Sequence, residues 1–564
     1  MIFLGFCMKD VVVKLIAKEV GLSVCDVKNL VEVPPRAEMG DFAFPCFGLA
    51  KLLKKSPVVI AGDLAKKFKL PKGIDRVGNE GGYVNFFVDK KVLAEKVLAK
   101  VKKKGFGSLG LGKGKKVVID MSSPNIAKPF GIGHLRSTMI GNSIGKIAEA
   151  NGFDVVKINY LGDWGTQFGK MIYAWKTFRK DTEKEADMTE LLALYVEFHK
   201  EAEAKKEIEE YAREEFRKLE SGDKKNLKLW EEFRELSLKE FDKIYNFLGV
   251  EFDVVSGESL YNDKMTSVVG ELKKKGIAKE DEGALIVDMK DEGLGVALIQ
   301  KKDGTSLYAT RDLAAAEDRK KEYNFVRMIY EVGAEQKLHF RQLFKILEKM
   351  GNKWAKDCVH AAHGLYLDKD GKKFSTRKGK TVYMKDILDE VVVKAKGNLV
   401  ARGTGSSKDE LDRRARIVAL AAILYGDLKN NKEHNIVFDV DRFLSFEGDT
   451  GPYLLYSYAR ASSIIRKVNS KSKVEIGEPE ESEIKLLKKI NGLEEVVRRA
   501  YEGLAPNLVA NYCFELAKDF NEFYHACPVL GSESEGFRLA LVGAFRVTLE
   551  KGLDLLGIEK MDEM

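Results

Sequence analysis

The turn Gly131-Ile132-Gly133-His134 follows a run of apolar, strand-forming residues and opens a stretch with helical spacing. Glycines let a backbone approach a bound group closely, and the free amides at the start of a helix attract an anion. The turn therefore predicts a phosphate site with His134 beside it. Four residues alone are a weak signal. Chance supplies roughly 0.06 copies of Gly-x-Gly-His at this composition, and a capped turn without a ligand reads the same way. Further along, Tyr308-Ala309-Thr310-Arg311-Asp312 leads into an alanine-rich helix, with Tyr308 and Asp312 on one side if the turn is helical. A carboxylate there matches the planar fork of a guanidinium, which an ammonium cannot imitate. Asp312 equally suits a helix cap. A third cluster, Lys373-Phe374-Ser375-Thr376-Arg377-Lys378-Gly379, puts basic groups on a loop where they can follow phosphoryl oxygens as charge develops. A solvated basic loop is the plain alternative.

These clusters are far apart in the chain and need a scaffold to bring them together. An apolar strand at 117–121, a helix at 134–151 and a second strand at 155–158 form the start of a parallel sheet of Rossmann type. Residues 183–248 are dense in Glu and Lys, with Leu191, Leu194, Tyr195 and Phe198 at helical spacing, and predict a helical insertion over about 183–283. A hairpin is expected at 284–300. The second half of the sheet follows, with a strand at 326–330, a helix at 337–350 and a strand at 358–363. Beyond 405 the pattern is helical, at 411–427, 452–468, 481–501, 509–525 and 536–556, as in a separate bundle. Ahead of the sheet, 1–108 mixes amphipathic helix with a strand at 82–88, and five glycines between 105 and 114 mark a linker. The expected domains are 1–108, 109–404 and 405–564.

A chain of 564 residues exceeds what one hydrophobic core organises, and 45% apolar with 32% charged residues describes a folded protein rather than a disordered one. No segment has the length and apolarity of a membrane span or the form of a signal peptide, so a cytoplasmic protein without a membrane partner is expected. The six cysteines show no CxxC pair and no metal-ligand spacing. They are read as reduced core residues, and no protein-held metal is expected. Net charge is +8, yet residues 1–105 hold 20 Lys and Arg against 11 Asp and Glu, so the basic excess lies in the first fifth. Such a block suits nucleic-acid phosphates, although solvated lysine-rich helix faces give the same count.

Taken as one string, Ser122-Ser123-Pro124-Asn125-Ile126-Ala127-Lys128, followed by Gly133-His134-Leu135-Arg136-Ser137-Thr138, resembles the ATP-binding signature of the arginyl-tRNA synthetases. That signature is the arginine-specific form of the class I HIGH motif. Its first position is Gly131 here, where the motif has His. The loop 373–379 resembles the KMSKS loop, with Thr376 in place of the second lysine, and the resemblance implies that Lys128 supplies the missing charge. It further implies Lys128, His134 and Lys373 as catalytic residues, and Gly131, Gly133, His134, Lys373 and Ser375 as ATP ligands. Asp120, Ser123, Asn125, Tyr308, Asp312 and Gln336 are the implied arginine ligands, Asp120 standing where many members have Glu. Residues 159–169 are a further family signature. Tyr83 and Asn85 match positions that contact a D-loop base, and an aromatic face beside an amide can receive an unpaired base. The segments 448–460 and 523–530, with Tyr458 and the terminal Met564, resemble the anticodon-binding domain; an aromatic stripe at helical spacing reads equally as core.

The resemblance spans nearly the full length. It implies an α/β fold: a class I Rossmann-type catalytic domain with a helical insertion, an N-terminal α+β tRNA-binding domain and a C-terminal all-α anticodon-binding bundle. The implied activity is ATP- and Mg²⁺-dependent attachment of arginine to tRNA(Arg), with tRNA required for the first step, in a monomer. Two other readings are open on the residues. One is a cytidylyltransferase-like nucleotidyltransferase, which has no use for the bundle or for 308–312. The other is a tRNA-binding paralogue without catalysis.

Overall fold

The computed structural model describes residues 8–180, 186–302, 308–372, 376–377, 380–381, 383–403, 407–468 and 473–564. They form two compact units, each assembled from separate stretches: Met1–Phe106, Ile464–Gly492 and Lys518–Thr548 in the first, and Gly107–Ser463, Leu493–Ala517 and Leu549–Met564 in the second.

In the first unit, strands β1 (Phe42–Pro45), β2 (Ile74–Glu80) and β3 (Tyr83–Val88) make an antiparallel sheet with β3 in the middle. Side chains alternate across a strand, so Val84, Phe86 and Val88 enter the core while Tyr83, Asn85 and Phe87 share the other face. The flanking helices Pro57–Lys67 and Lys90–Val101 start where Ser56 and Asp89 accept hydrogen bonds from the amides of Val59 and Val92.

The second unit is built on five parallel strands in the order β11-β10-β4-β5-β6: β4 is Lys116–Met121, β5 Asp154–Leu161, β6 Val254–Gly257, β10 Arg327–Tyr330 and β11 Cys358–His360. Val117, Val118 and Ile119 of the central strand have no exposure at all, as expected where helices cover both faces of a sheet. A three-stranded antiparallel meander, β7 (Lys279–Asp281), β8 (Ala284–Met289) and β9 (Gly295–Gln300), precedes β10.

The structure alters three expectations. The insertion does not run unbroken to 283. Its helices Met188–Ala204, Glu207–Glu220 and Lys224–Leu248 end before β6, which rejoins the sheet beside β5 and is only four residues long, too short for periodicity to reveal. The predicted helix 481–501 is two helices, Glu481–Asn491 and Leu493–Glu502, parted at Gly492. Compactness also places no break at 405. The helix Lys408–Leu428 belongs with the parallel sheet, because Asp427 pairs with Arg136 on the helix after β4. Arg136 Nε lies 3.1 Å from Asp427 Oδ2 with both side chains 1% exposed, Arg136 Nη1 donates to the His434 carbonyl at 2.8 Å, and the Tyr366 hydroxyl also donates to Asp427. Burial pushes the Asp427 carboxyl up, and the guanidinium pulls it back.

No described helix is long and apolar enough to cross a membrane. Among the described cysteines, Cys46, Cys358, Cys513 and Cys527 are buried and Cys25 is exposed.

Removing one partner of a buried ion pair leaves the other charge stranded in low dielectric. Asp427→Ala is therefore expected to destabilise the second unit by about 3–5 kcal/mol, read as a clear fall in the thermal midpoint. An unchanged midpoint would contradict the role given to this pair.

Candidate active site

Chain order reverses between β4 and β10: β5 and β6 are added on one side of β4, β10 and β11 on the other. Ligands of open parallel sheets settle in the crevice beyond the strand ends at such a point. A cleft of about 330 Å³ lies there, lined by Ser123, Asn125, Gly133 and His134 after β4, Glu331 and Gln336 after β10, and His363 after β11. Five residues expected to hold substrates thus meet at one place, drawn from two segments about 200 residues apart.

The loop leaving β4 is strained and tightly held. Ser122, Ser123 and Ala127 have φ of 74°, 49° and 58°, a left-handed conformation that disfavours side-chain-bearing residues and survives where surroundings enforce it. The enforcing contacts are the Ser122 amide donating to Ser137 Oγ at 3.1 Å, Ser122 Oγ against Tyr245 Oη at 2.8 Å, and the Ala127 amide donating to Ser237 Oγ at 2.9 Å. Asn125 packs so closely on Gly162 that a Cβ there would overlap its Oδ1, which gives one glycine of the 159–169 signature a physical role.

His134 stands in the first turn of the helix Ile132–Ala150 and caps it: its Nδ1 accepts a hydrogen bond from the Gly131 amide at 3.1 Å. Burial, then the nearby charges of His363 and Lys128, lower its pKa to about 4. The ring is therefore neutral at physiological pH. Because Nδ1 is an acceptor, the proton sits on Nε2, leaving an N–H donor for an anion at the helix start. Lys128 is half-buried, its Nζ 5.6 Å from the ring centre of Tyr195 on the insertion.

The helix Tyr308–Tyr323 carries Asp312. Thr310 Oγ1 donates to the Ile299 carbonyl on β9 at 2.8 Å, and Arg319 Nη1 meets Asp120 Oδ2 at the end of β4 at 2.7 Å, so the helix is fixed at two points. Asp120 Oδ1 accepts from Ser123 Oγ at 3.1 Å. Asp312 Oδ2 is engaged by His339 Nε2 at 2.6 Å, and the Asp312 charge is felt at Asp120, Tyr160 and Glu258. Glu258 was not foreseen. Burial and Asp312 push its carboxyl up to about 8 against the opposing pull of Arg311, and its Oε2 is buried without a hydrogen-bond partner. An isolated glutamate carries no sequence pattern, and only the fold brings it toward Asp312.

The other expected residues are distributed as follows. The backbone of Tyr308 begins its helix, while its side chain lies outside the described residues, as do Lys373 and Ser375. Among the described residues no group of three or more His, Cys, Asp or Glu could hold a metal ion. Tyr83 is partly exposed, its ring 5.3 Å from that of the exposed Phe47, whereas Asn85 is 6% exposed. Tyr458 is 1% exposed with its hydroxyl 3.1 Å from Glu550, so in this conformation it packs in the bundle, the core alternative for an aromatic stripe. Met564 is half-buried.

Three family models match the chain: the class I (R) tRNA synthetase catalytic domain over 95–440, the DALR anticodon binding domain over 454–564 and the arginyl tRNA synthetase N terminal domain over 8–88. The arginine–tRNA ligase of Clostridium perfringens is 45% identical over 569 aligned residues, covering 99% of this chain and 100% of that one. Arginyl-tRNA synthetase of Thermus thermophilus superposes with a TM-score of 0.82 at 26% identity, each chain covered completely. The Plasmodium falciparum enzyme gives 0.81 at 25% identity, covering 95% of this chain and 94% of that one.

The imidazole of an unfolded chain titrates near 6.5, above the folded value of about 4 for His134. The unfolded state therefore binds the extra proton first, and His134 subtracts stability as pH falls through that window. In ¹⁵N-histidine NMR spectra, His134 is expected to stay neutral with its proton on Nε2 from pH 5 to 8. A His134 resonance that titrates near 6.5 would contradict this.

Proposed function

The chain belongs to the class I arginyl-tRNA synthetases, and on that premise we propose how its residues divide the work of activating and transferring arginine. The reaction is the ATP-driven ligation of arginine to tRNA: the arginine carboxylate attacks the α-phosphorus of ATP, pyrophosphate leaves, and the arginyl-adenylate passes its acyl group to the terminal adenosine of the tRNA. The observation that carries the residue assignment is the single cleft joining Ser123, Asn125, Gly133, His134 and Gln336, with Asp312 tied by His339 to the helix that follows Gln336.

ATP enters with its phosphates at the start of the helix Ile132–Ala150. The backbone at Gly131 and Gly133 allows close approach, and His134 Nε2–H donates to a phosphoryl oxygen. Lys128 is near enough to lower the His134 pKa, so its ammonium can add charge to the same group. Lys373 and Ser375 are assigned by family resemblance to a loop that closes over the leaving pyrophosphate. Stabilising charge that develops on the phosphorus and leaving group needs no nucleophilic side chain. Magnesium is proposed to arrive as the complex of ATP, bound through phosphate oxygens.

Arginine is proposed to lie with its α-amino and carboxylate groups at Asp120, Ser123 and Asn125 and its guanidinium between Asp312 and Glu258, with Tyr308 and Gln336 completing the pocket. Glu258 Oε2, 3.9 Å from Arg311 Nη1 and without a hydrogen bond, supports a second acidic contact. A lysine ammonium cannot satisfy two carboxylates presented for a planar fork, and leaving one unpaired is costly, so discrimination follows without editing. In the first unit, Tyr83 beside Phe47 is proposed to receive the D-loop base, with Asn85 behind it. In the anticodon-binding region, Met564 and the exposed Tyr456, whose ring lies under the Arg460 guanidinium at 4.7 Å, are better placed than the buried Tyr458. The enzyme is proposed to act as a cytoplasmic monomer.

The test of the whole reading is ATP–pyrophosphate exchange, expected only with arginine and tRNA together and absent with lysine; exchange indifferent to arginine would overturn it. Asp312→Ala should raise KM for arginine by at least about 100-fold, the loss of one charge-assisted bidentate contact, with KM for ATP little changed. Since Glu258 is mostly protonated at pH 7 and ionised above about 8, KM for arginine should fall as pH rises from 7 to 9, and Glu258→Gln should flatten that profile. A profile that stays steep in the variant would remove Glu258 from the pocket.

A further inference from the structure

We propose that His363, held by the buried carboxylate of Glu331, supplies to the ATP phosphates the imidazole that the turn lacks at Gly131. The inference rests on reading the cleft as the ATP site. Glu331 is the first residue beyond β10 and His363 the third beyond β11; these strands are neighbours, with Tyr330 paired to His360. Both residues line the same cleft as Gly133 and His134. His363 Nδ1 lies 2.9 Å from Glu331 Oε1, with Glu331 at 0% and His363 at 6% exposure.

The mounting is rigid. The His363 amide donates to the Val332 carbonyl at 3.2 Å and its carbonyl accepts from the Ala334 amide at 2.8 Å, fixing the ring's backbone on both sides. Ser137 Oγ donates to the Glu331 carbonyl at 2.6 Å and so ties the pair to the helix that His134 opens. The His363 charge is close enough to His134 to lower its pKa, which places the two imidazoles at one locus. Glu331 Oε2 is buried without a hydrogen-bond partner. A buried carboxylate is expensive, and a purely structural pair is replaceable by apolar side chains at little cost. Holding one here is explained by what it does to the ring.

With Nδ1 engaged by Glu331, Nε2 is the nitrogen left for a ligand. When the pair holds two protons it is neutral overall and presents Nε2–H, on whichever side of the 2.9 Å contact the shared proton rests. Phosphate oxygens select that state, because losing the proton would leave a lone pair facing an anion. His363 and His134 then grip the phosphates from opposite walls. A histidine at position 131 would reach the same place from the turn: Gly131 has φ −90°, and a Cβ there would lie 3.7 Å from His134 Nδ1, an ordinary contact.

The test is exchange kinetics with saturating arginine and tRNA in His363→Asn, His363→Gln, Gly131→His with His363→Asn, and His134→Asn. Asparagine keeps an amide for Glu331 where Nδ1 stood and has nothing at Nε2; glutamine does the reverse. His363→Asn should lower kcat/KM for ATP about 10- to 100-fold, as for one lost hydrogen bond to a charged group. KM for arginine should stay within about twofold, His363→Gln should keep most of the activity, and Gly131→His should restore about tenfold in the asparagine background. Glutamine worse than asparagine, no loss in either, or no recovery with Gly131→His would overturn the inference and leave a packing pair. If His134→Asn also leaves kcat/KM for ATP intact, the ATP reading itself fails. A loss at His134 with none at His363 removes this inference alone.

Discussion

The ion pair between Arg319 and Asp120 holds together the two halves of the site. Asp120 is the penultimate residue of the central strand, just before the strained loop that leads to His134; Arg319 lies three turns along the helix Tyr308–Tyr323, two turns beyond Asp312. Their side chains are 5% and 3% exposed, and the guanidinium is sandwiched near Tyr160 and Tyr330, 4.9 and 5.8 Å from the ring centres. A buried pair of this kind earns little net stability against an apolar substitute, but breaking it strands a charge. Its value is positional: the loop that leads to His134 and the helix that carries Asp312 are joined by one short contact, so the distance between them is set by covalent geometry and one hydrogen-bonded pair.

The electrostatics follow from that arrangement. At the start of the helix Ile132–Ala150 the protein presents a neutral His134 and free amides rather than a dense cluster of cations, donors oriented in advance that would lose nothing to reorganisation as charge develops on a bound anion. Around Asp312 it concentrates acids. Burial raises both Glu258 and Asp120, and the charge of Asp312 adds to each against the pull of Arg311 on the first and Arg319 on the second. A cation entering beside Asp312 favours ionisation of Glu258, so the second negative charge forms as the cation arrives.

Much of this was legible in the sequence, and the part that was not has a common physical cause. The strands at 117–121, 155–158 and 326–330 carry long apolar runs because both faces of the sheet are covered, and the turn at 131–134 carries its chemistry in consecutive residues. Those features are local. Glu258, His339, Glu331 and His363 are single residues whose meaning comes from strands and helices that meet only after folding. The four-residue β6 was lost inside a long helical stretch for the same reason: its partner β5 lies about 100 residues away. Tyr458 is the reverse case, an aromatic in a stretch that reads equally as base contact or core, and its ring is buried in the bundle. The division at 405 rests on a change from strands to helices, which marks architecture, whereas the compact units follow buried pairs such as Arg136 and Asp427.

The most direct measurement is a crystal structure with a non-hydrolysable analogue of arginyl-adenylate and tRNA. The guanidinium should lie between Asp312 and Glu258, and the phosphate-mimicking group within hydrogen-bonding distance of His134 Nε2, with Arg319 still on Asp120. A guanidinium placed away from Asp312, or a phosphate mimic that does not approach the start of the helix Ile132–Ala150, would contradict this division of the cleft.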